Sequence, residues 1–296
     1  MAIIYSNAVG KAKGSMGTIT YTTKEGKTIG KDRIRLTTNP KTSKQMRRRV
    51  QWANIVNFWQ CFTGLLHPSF EDRTALVSDF NRFIGANIGM VPVYLTRAEA
   101  SQGGAVVAPY QVSYGTLPSI DVSANGLSGE VGTNISLGTL NITDSTTVKQ
   151  FSDAVVENNP NFQYGDQITA FVAYQSVNTV TGVPYTNILA REITLNHEDT
   201  ETLIADLDPE LTVFSKQGES DKLGMNQSVN GGVVYIHSRI NGEGKTLVSS
   251  QRLVVSNTML ARYQSGDKLS AAIKSYDGNT QRAYLTPNVD EDIAVA

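Results

Sequence analysis

The spacing of hydrophobic positions changes twice along the chain. Up to about residue 37, glycine-punctuated turns alternate with short β-type runs. Gly14-Ser-Met-Gly17 precedes Thr18-Ile-Thr-Tyr-Thr-Thr23, and Lys24-Glu-Gly-Lys27 separates that run from Ile34-Arg-Leu36. Threonine and tyrosine at alternate places predict a pleated, half-exposed ribbon. Asn39-Pro40 breaks the pattern, because the residue before proline is pushed out of the α region, and Thr42 or Ser43 is placed to cap a helix beginning there. From Lys44 to about Leu66 the period becomes helical: Trp52, Ile55, Trp59, Phe62 and Leu66 define one stripe, with Arg48 a turn before Trp52. Pro68 ends this segment. A second amphipathic segment carries Leu76, Phe80, Phe83 and Ile84 and stops at Gly85 and Gly89, so the pair predicts an α-helical hairpin with the stripe as core.

Beyond Ala100-Ser-Gln-Gly-Gly104, the best linker by composition, β-type runs dominate: Val106–Tyr114, Ile120–Ser123 and Ile135–Leu140, with only Val148–Val156 helical. In Gln167–Tyr174, alternation puts Ile168, Ala170 and Val172 on one face. Gly165-Asp-Gln-Ile-Thr-Ala170 is echoed by Gly266-Asp-Lys-Leu-Ser-Ala271, where Leu269, Ala271 and Ile273 match those positions. Asn241-Gly-Glu-Gly244 between Val233–Arg239 and Leu247–Val255 is a hairpin signal. The expected fold class is mainly β with an N-terminal α-helical hairpin (α+β), and antiparallel Ig-like β-sandwich modules in the C-terminal two-thirds. The expected domains are residues 1–100, a basic ribbon arm plus hairpin, and 104–296, with two related β units at about 104–205 and 206–296.

Charge adds an asymmetry that the net value of −1 conceals. Twelve of the 26 Lys and Arg but only two of the 27 Asp and Glu fall in residues 1–49, so that stretch carries +10 and the remainder −11. A basic arm on an acidic body suits a polyanion or the acidic surface of a neighbouring subunit. The candidate contact residues are Lys11, Lys13, Lys31, Arg33, Arg35, Lys41, Lys44, Arg47, Arg48 and Arg49.

Most catalytic chemistry finds no pattern. One cysteine, Cys61, and three scattered histidines, His67, His197 and His237, give no disulfide or zinc spacing. Gly26-Lys-Thr28 and Gly244-Lys-Thr246 imitate a phosphate-binding loop, but Tyr21 and Arg239 stand where its first glycine belongs, so both read as hairpin turns. No Gly-x-Ser-x-Gly elbow occurs, and the carboxylate pairs Glu71-Asp72 and Glu198-Asp199 and the trio Asp290-Glu-Asp292 sit in loop-like or terminal stretches. The 296 residues, 40 % of them hydrophobic, contain no apolar run of membrane-spanning length, and the first residues lack the apolar core of a signal peptide. No enzyme activity, cofactor, metal or membrane partner is expected.

Gly10-Lys-Ala-Lys-Gly14-Ser-Met-Gly17-Thr-Ile, Arg33-Ile-Arg-Leu, and Asn39-Pro-Lys-Thr-Ser-Lys-Gln45 with Arg48 and Trp52 resemble the N-terminal signature of a family of uncharacterised proteins. These occur in gut Bacteroidetes and in the tailed, crAss-like phages that infect them. Val112-Ser-Tyr-Gly-Thr-Leu-Pro118, Tyr164-Gly-Asp-Gln and the stretch from Ser238-Arg239 to Ser250-Gln251 resemble it more loosely. The resemblance implies β-sandwich repeats and a virion structural role, and it carries no catalytic residues. The expected function is therefore a virion structural and assembly protein of capsid, portal ring, tail or fibre. It would be assembled in the host cytoplasm as a homo-oligomer, contacting other virion proteins and packaged DNA. The alternatives are a surface-glycan module using Tyr110, Tyr164, Tyr185 and Tyr263, and a non-specific DNA-binding protein using residues 11–49.

Overall fold

Four short strands build the N-terminal stretch in the computed structural model, which describes residues 2–4, 14–24, 27–33, 42–65, 69–71, 77–124, 130–218, 220–225 and 227–277. They are β1 (Ala2–Ile4), β2 (Gly14–Met16), β3 (Ile19–Lys24) and β4 (Lys27–Asp32), in the antiparallel order β1-β4-β3-β2. Between β2 and β3, Gly17 supplies the left-handed φ of +60° that a primed hairpin turn needs. The strand paired with β3 is β4, in a register that matches Lys24 with Lys27. The expected partner run Ile34-Arg-Leu36 lies outside the described residues.

These strands form one compact unit, Met1–Lys41; the second is Thr42–Ala296. The boundary therefore falls before the helices rather than at 100–104. The glycine-rich stretch there is pinned, because the Asn57 amide donates to the carbonyls of Ala100 and Gly104 at 3.0 and 2.8 Å.

The second unit begins with α1 (Ser43–Cys61), whose Thr42 cap and Gln45 exchange hydrogen bonds in a capping box. Next come α2 (Asp79–Asn87), α3 (Arg97–Ser101), β5 (Gln111–Ser113), β6 (Val122–Ala124), β7 (Val131–Ser136) and α4 (Val148–Asn158). Two long strands, β8 (Gln167–Val177) and β9 (Pro184–Thr194), lead through α5 (Ile204–Leu207) to β10 (Ser215–Lys216), β11 (Lys222–Met225) and β12 (Gly231–Ile240). The described part closes with β13 (Thr246–Val248), β14 (Gln251–Arg252), β15 (Val254–Ser256), α6 (Thr258–Tyr263) and α7 (Gly266–Asp277). The protein is thus mainly β with several helices, an α+β chain, and its named strands all pair antiparallel.

The central sheet runs β13-β12-β8-β9, with β15 on the same edge of β12 as β13 but at the strand's other end. Alternation along β8 sends Ile168, Ala170 and Val172 to one core, as their spacing predicts, and Phe171 and Ala173 to another. Both faces of this sheet are consequently covered. On one side lie Ile55 and Phe58 of α1 and Phe62 at its C-terminal cap with Phe83 and Ile84 of α2, where Phe62 meets Phe171 edge-on at 5.6 Å. On the other lie α4 and the sheet β10-β11-β7-β6, contributing Phe151, Val131, Ile135, Leu223 and Met225. Because β11 pairs with β7 and β12 with β8, the stretches 104–205 and 206–296 share sheets and are not separate units.

Two expectations based on period are overturned. Gly266–Ala271, the echo of the β8 start, opens α7: Leu269, Ala272 and Ile273 are buried while Ala271 is exposed, a helical spacing where alternation was expected. The α1 stripe is rotated. Met46, Val50, Asn54, Ile55, Phe58 and Phe62 are buried, whereas Trp52 is 45 % exposed and Trp59 only partly covered; Leu66 and Leu76 lie outside the described residues.

The rotated face of α1 meets the segment Ala105–Tyr110, which is buried except for a half-covered Pro109 yet lies outside any helix or strand. Its backbone groups still need partners, and side-chain amides supply them. Asn54 pairs with both the N–H and the carbonyl of Val106, at 2.8 and 3.0 Å. Gln175 of β8 takes the Val107 N–H and donates to the Ala105 carbonyl, and Asn87 of α2 pairs both ways with Gln111. These polar side chains face inward and turn Trp52 out.

Candidate partner-binding face

Lys44, Arg47, Arg48 and Arg49 occupy the first two turns of α1, the end whose free N–H groups already carry positive potential. Cations there oppose the helix dipole, and no acidic residue of the first turn offsets them. The arrangement costs the isolated helix stability and favours an anion from outside, which cations and backbone dipoles attract together. Lys44, Arg48 and Arg49 are exposed and, among the described residues, paired with no carboxylate. Arg48 donates a long hydrogen bond, 3.4 Å, to the Ile88 carbonyl.

Two hollows flank Arg48. A cleft of about 540 Å³ is lined by Lys44, Arg47, Arg48 and Gln51 of α1 and by the turn Ile88–Pro92 after α2. On the other side a mostly apolar hollow of about 410 Å³ is lined by Arg48, Arg49, Trp52, Ala53 and Tyr276. Beneath them, Met46 and Val50 pack on Leu269, Ala272 and Ile273 of α7, which fixes the helix while leaving the basic side chains outside. The face thus combines guanidinium groups with two aromatic rings, a chemistry suited to acidic, partly apolar ligands.

Of the ten candidate contacts, these four share one helix. Lys31 and Arg33 are exposed in the N-terminal unit, where Arg33 N–H donates to the Thr18 carbonyl. Lys11, Lys13, Arg35 and Lys41 lie outside the described residues. Trp52 and Tyr276 were not among the candidates. Trp52 follows Arg47-Arg48-Arg49 closely, and that proximity is the signal that identifies it, whereas nothing in the sequence links Tyr276 to it.

Several other titratable groups among the described residues are tied into the fold. Asp166 is fully buried and accepts from Arg239 Nε and Nη2, each at 2.6 Å, from His237 Nε2 at 2.8 Å and from the Gln163 N–H. Burial alone would raise its carboxyl; the hydrogen bonds from Arg239 and His237 outweigh this and hold it below the usual range. His237 stacks on Phe162 at 4.3 Å, so this histidine braces the turn before β8. His197 pairs with Asp153 on the surface, and His67 lies outside the described residues. Glu71 accepts from the N–H groups of Thr116 and Val248, and Asp199 from those of Glu201 and Thr202. Lys27-Thr28 begins β4, and Gly244-Lys245 lies in the turn between β12 and β13, so neither forms a phosphate loop. Tyr110 and Tyr263 are buried and bonded to Asn54 and Glu99, which leaves only Tyr164 and Tyr185 of the glycan candidates at the surface.

Among the described residues no group of three or more His, Cys, Asp or Glu is placed to hold a metal ion, and no helix is long and apolar enough to cross a membrane. Comparison with protein-family models, with curated proteins and with solved structures finds no match.

Proposed function

We propose that the chain is a structural and assembly protein of a tailed-phage virion, without enzymatic activity, whose copies meet through the basic face of α1 and the acidic surface of a neighbouring copy. The observation that carries this reading is the set Lys44, Arg48 and Arg49, exposed beside Trp52 and without a carboxylate partner among the described residues, at the wrong end of a helix for self-stabilisation. The excess of acidic groups beyond residue 49 is the charge of opposite sign that such a contact requires on the neighbouring copy. Such a contact joins different patches of identical chains, the head-to-tail geometry that closes rings. The resemblance of the N-terminal signature to the phage-associated family supports the virion setting. In fold terms, we read the sheets around the second core as an Ig-like sandwich module and α1 with α2 as a helical hairpin docked on its outer side.

Mass photometry at low and high salt tests the reading. The parent chain is expected to associate at low salt and dissociate as salt screens the contact; Lys44→Glu with Arg48→Glu and Arg49→Glu remains monomeric with an unchanged circular dichroism spectrum. Equal association of parent and variant overturns the proposal. A parent that stays monomeric but retards random duplex DNA at low salt replaces it with the DNA-binding alternative.

A further inference from the structure

The apolar hollow beside Arg48 and Arg49 has a neighbour in the chain itself. Tyr276, one of its walls, is the penultimate residue of α7, so the backbone leaves the described part of the fold at the rim of this hollow. The sequence beyond it, residues 278–296, carries Asp290-Glu-Asp292 and then Ile293-Ala-Val295. Three carboxylates together with two branched apolar side chains complement the hollow, which pairs two guanidinium groups with Trp52, Ala53 and Tyr276. Twelve residues, 278–289, separate the rim from the acidic trio. Extended, they reach up to about 40 Å, far more than a helix face adjoining their own anchor requires, and a tether of this length gives an effective concentration in the millimolar range.

We infer that the segment Asp290–Val295 docks on the Arg48, Arg49 and Trp52 face of its own chain and occupies it until the acidic surface of another copy displaces it. The inference rests on the partner-binding reading of the same face and adds its regulation. An acidic segment held in cis lowers the apparent affinity of any partner in trans, because the partner must first compete with it. Assembly is then slow to start at low concentration and favoured where many copies are gathered together. Ile293 and Val295 give the contact a component that salt does not remove, whereas Asp290, Glu291 and Asp292 give it one that salt does.

The full-length chain tests this with two variants, one neutralised as Asp290→Asn, Glu291→Gln and Asp292→Asn, the other carrying Ile293→Ser and Val295→Ser. Trp52 is the more exposed of the two tryptophans, so acrylamide quenching reads the docking without any partner. Both variants are expected to quench more strongly than the parent at low salt, the neutralised one losing its difference at high salt. Self-association of the neutralised chain is expected to tighten about fivefold to tenfold, the range that a few exposed ion pairs supply. Unchanged quenching in both variants overturns the docking, whatever the association result. Increased quenching with association that the α1 charge reversal does not alter keeps the docking and overturns the partner-binding reading, so the two failures are distinguishable.

Discussion

Asn54 carries the most exacting expectation. It is fully buried in the middle of α1, donating to the Val106 carbonyl at 3.0 Å and to the Tyr110 hydroxyl at 2.8 Å while accepting from the Val106 N–H at 2.8 Å. Asn54→Ala removes all three partners at once, and the groups left behind cannot reach water. Each orphaned buried group costs about 1–3 kcal/mol, so the variant is expected to lose about 3–9 kcal/mol, comparable with the ~5–15 kcal/mol that keeps a domain folded. Tyr110→Phe deletes one acceptor and is expected to cost about 1 kcal/mol. Combined, the two substitutions should couple by at least about 0.5 kcal/mol, because they share a bond. Urea unfolding monitored by circular dichroism gives these values from the midpoint at constant slope. A loss below about 1 kcal/mol for Asn54→Ala would refute the idea that side-chain amides, rather than apolar contact alone, hold Ala105–Tyr110 and orient α1.

Three further outcomes are expected. Asp166→Asn leaves Arg239 without its carboxylate and should cost about 3–5 kcal/mol in chemical denaturation. Because folding lowers the Asp166 carboxyl, its contribution is complete above the unfolded value of about 4 and disappears as the pH falls through the folded value; acid titration of the parent should therefore lose stability over that window, and Asp166→Asn should lose less. Trp52→Ala, at a ring 45 % exposed, should cost about 1–2 kcal/mol of thermal stability, whereas Phe58→Ala, at a fully buried ring, should cost about 3–5 kcal/mol. The reverse ranking would restore Trp52 to the core.

Where one principle decides the local structure, it is legible in the sequence. The Thr42 cap, the α4 segment, the alternation of β8 and the hairpin around Asn241–Gly244 are products of capping chemistry, hydrophobic period and turn residues. Expectations failed where two principles compete. The α1 stripe of Trp52, Ile55, Trp59, Phe62 and Leu66 rests on apolar residues alone, yet Asn54 is buried and Asn57 half-buried, their amides bonded to the backbone of the segment after α3. Gly266–Ala271 copies the start of β8 in sequence, but Ala272, Ile273 and Tyr276 continue it at helical spacing, and α7 results. The break at Gly104 was misplaced because composition does not reveal a buried glycine: a Cβ there would lie 2.7 Å from the Glu99 carbonyl oxygen. Basic residues 44–49 were visible as a cluster; their sharing a face with Tyr276, more than two hundred residues away in sequence, is a product of tertiary packing.

Carbodiimide cross-linking of an oligomer assembled from equal parts of ¹⁵N-labelled and unlabelled chains examines the basic face of α1 most directly, since Lys44 is its one primary amine. Mass spectra are expected to contain peptides joining Lys44 of one isotope to a carboxylate of the other. Cross-links at Lys44 confined to chains of the same isotope, or none at that residue in a stable oligomer, would contradict the account.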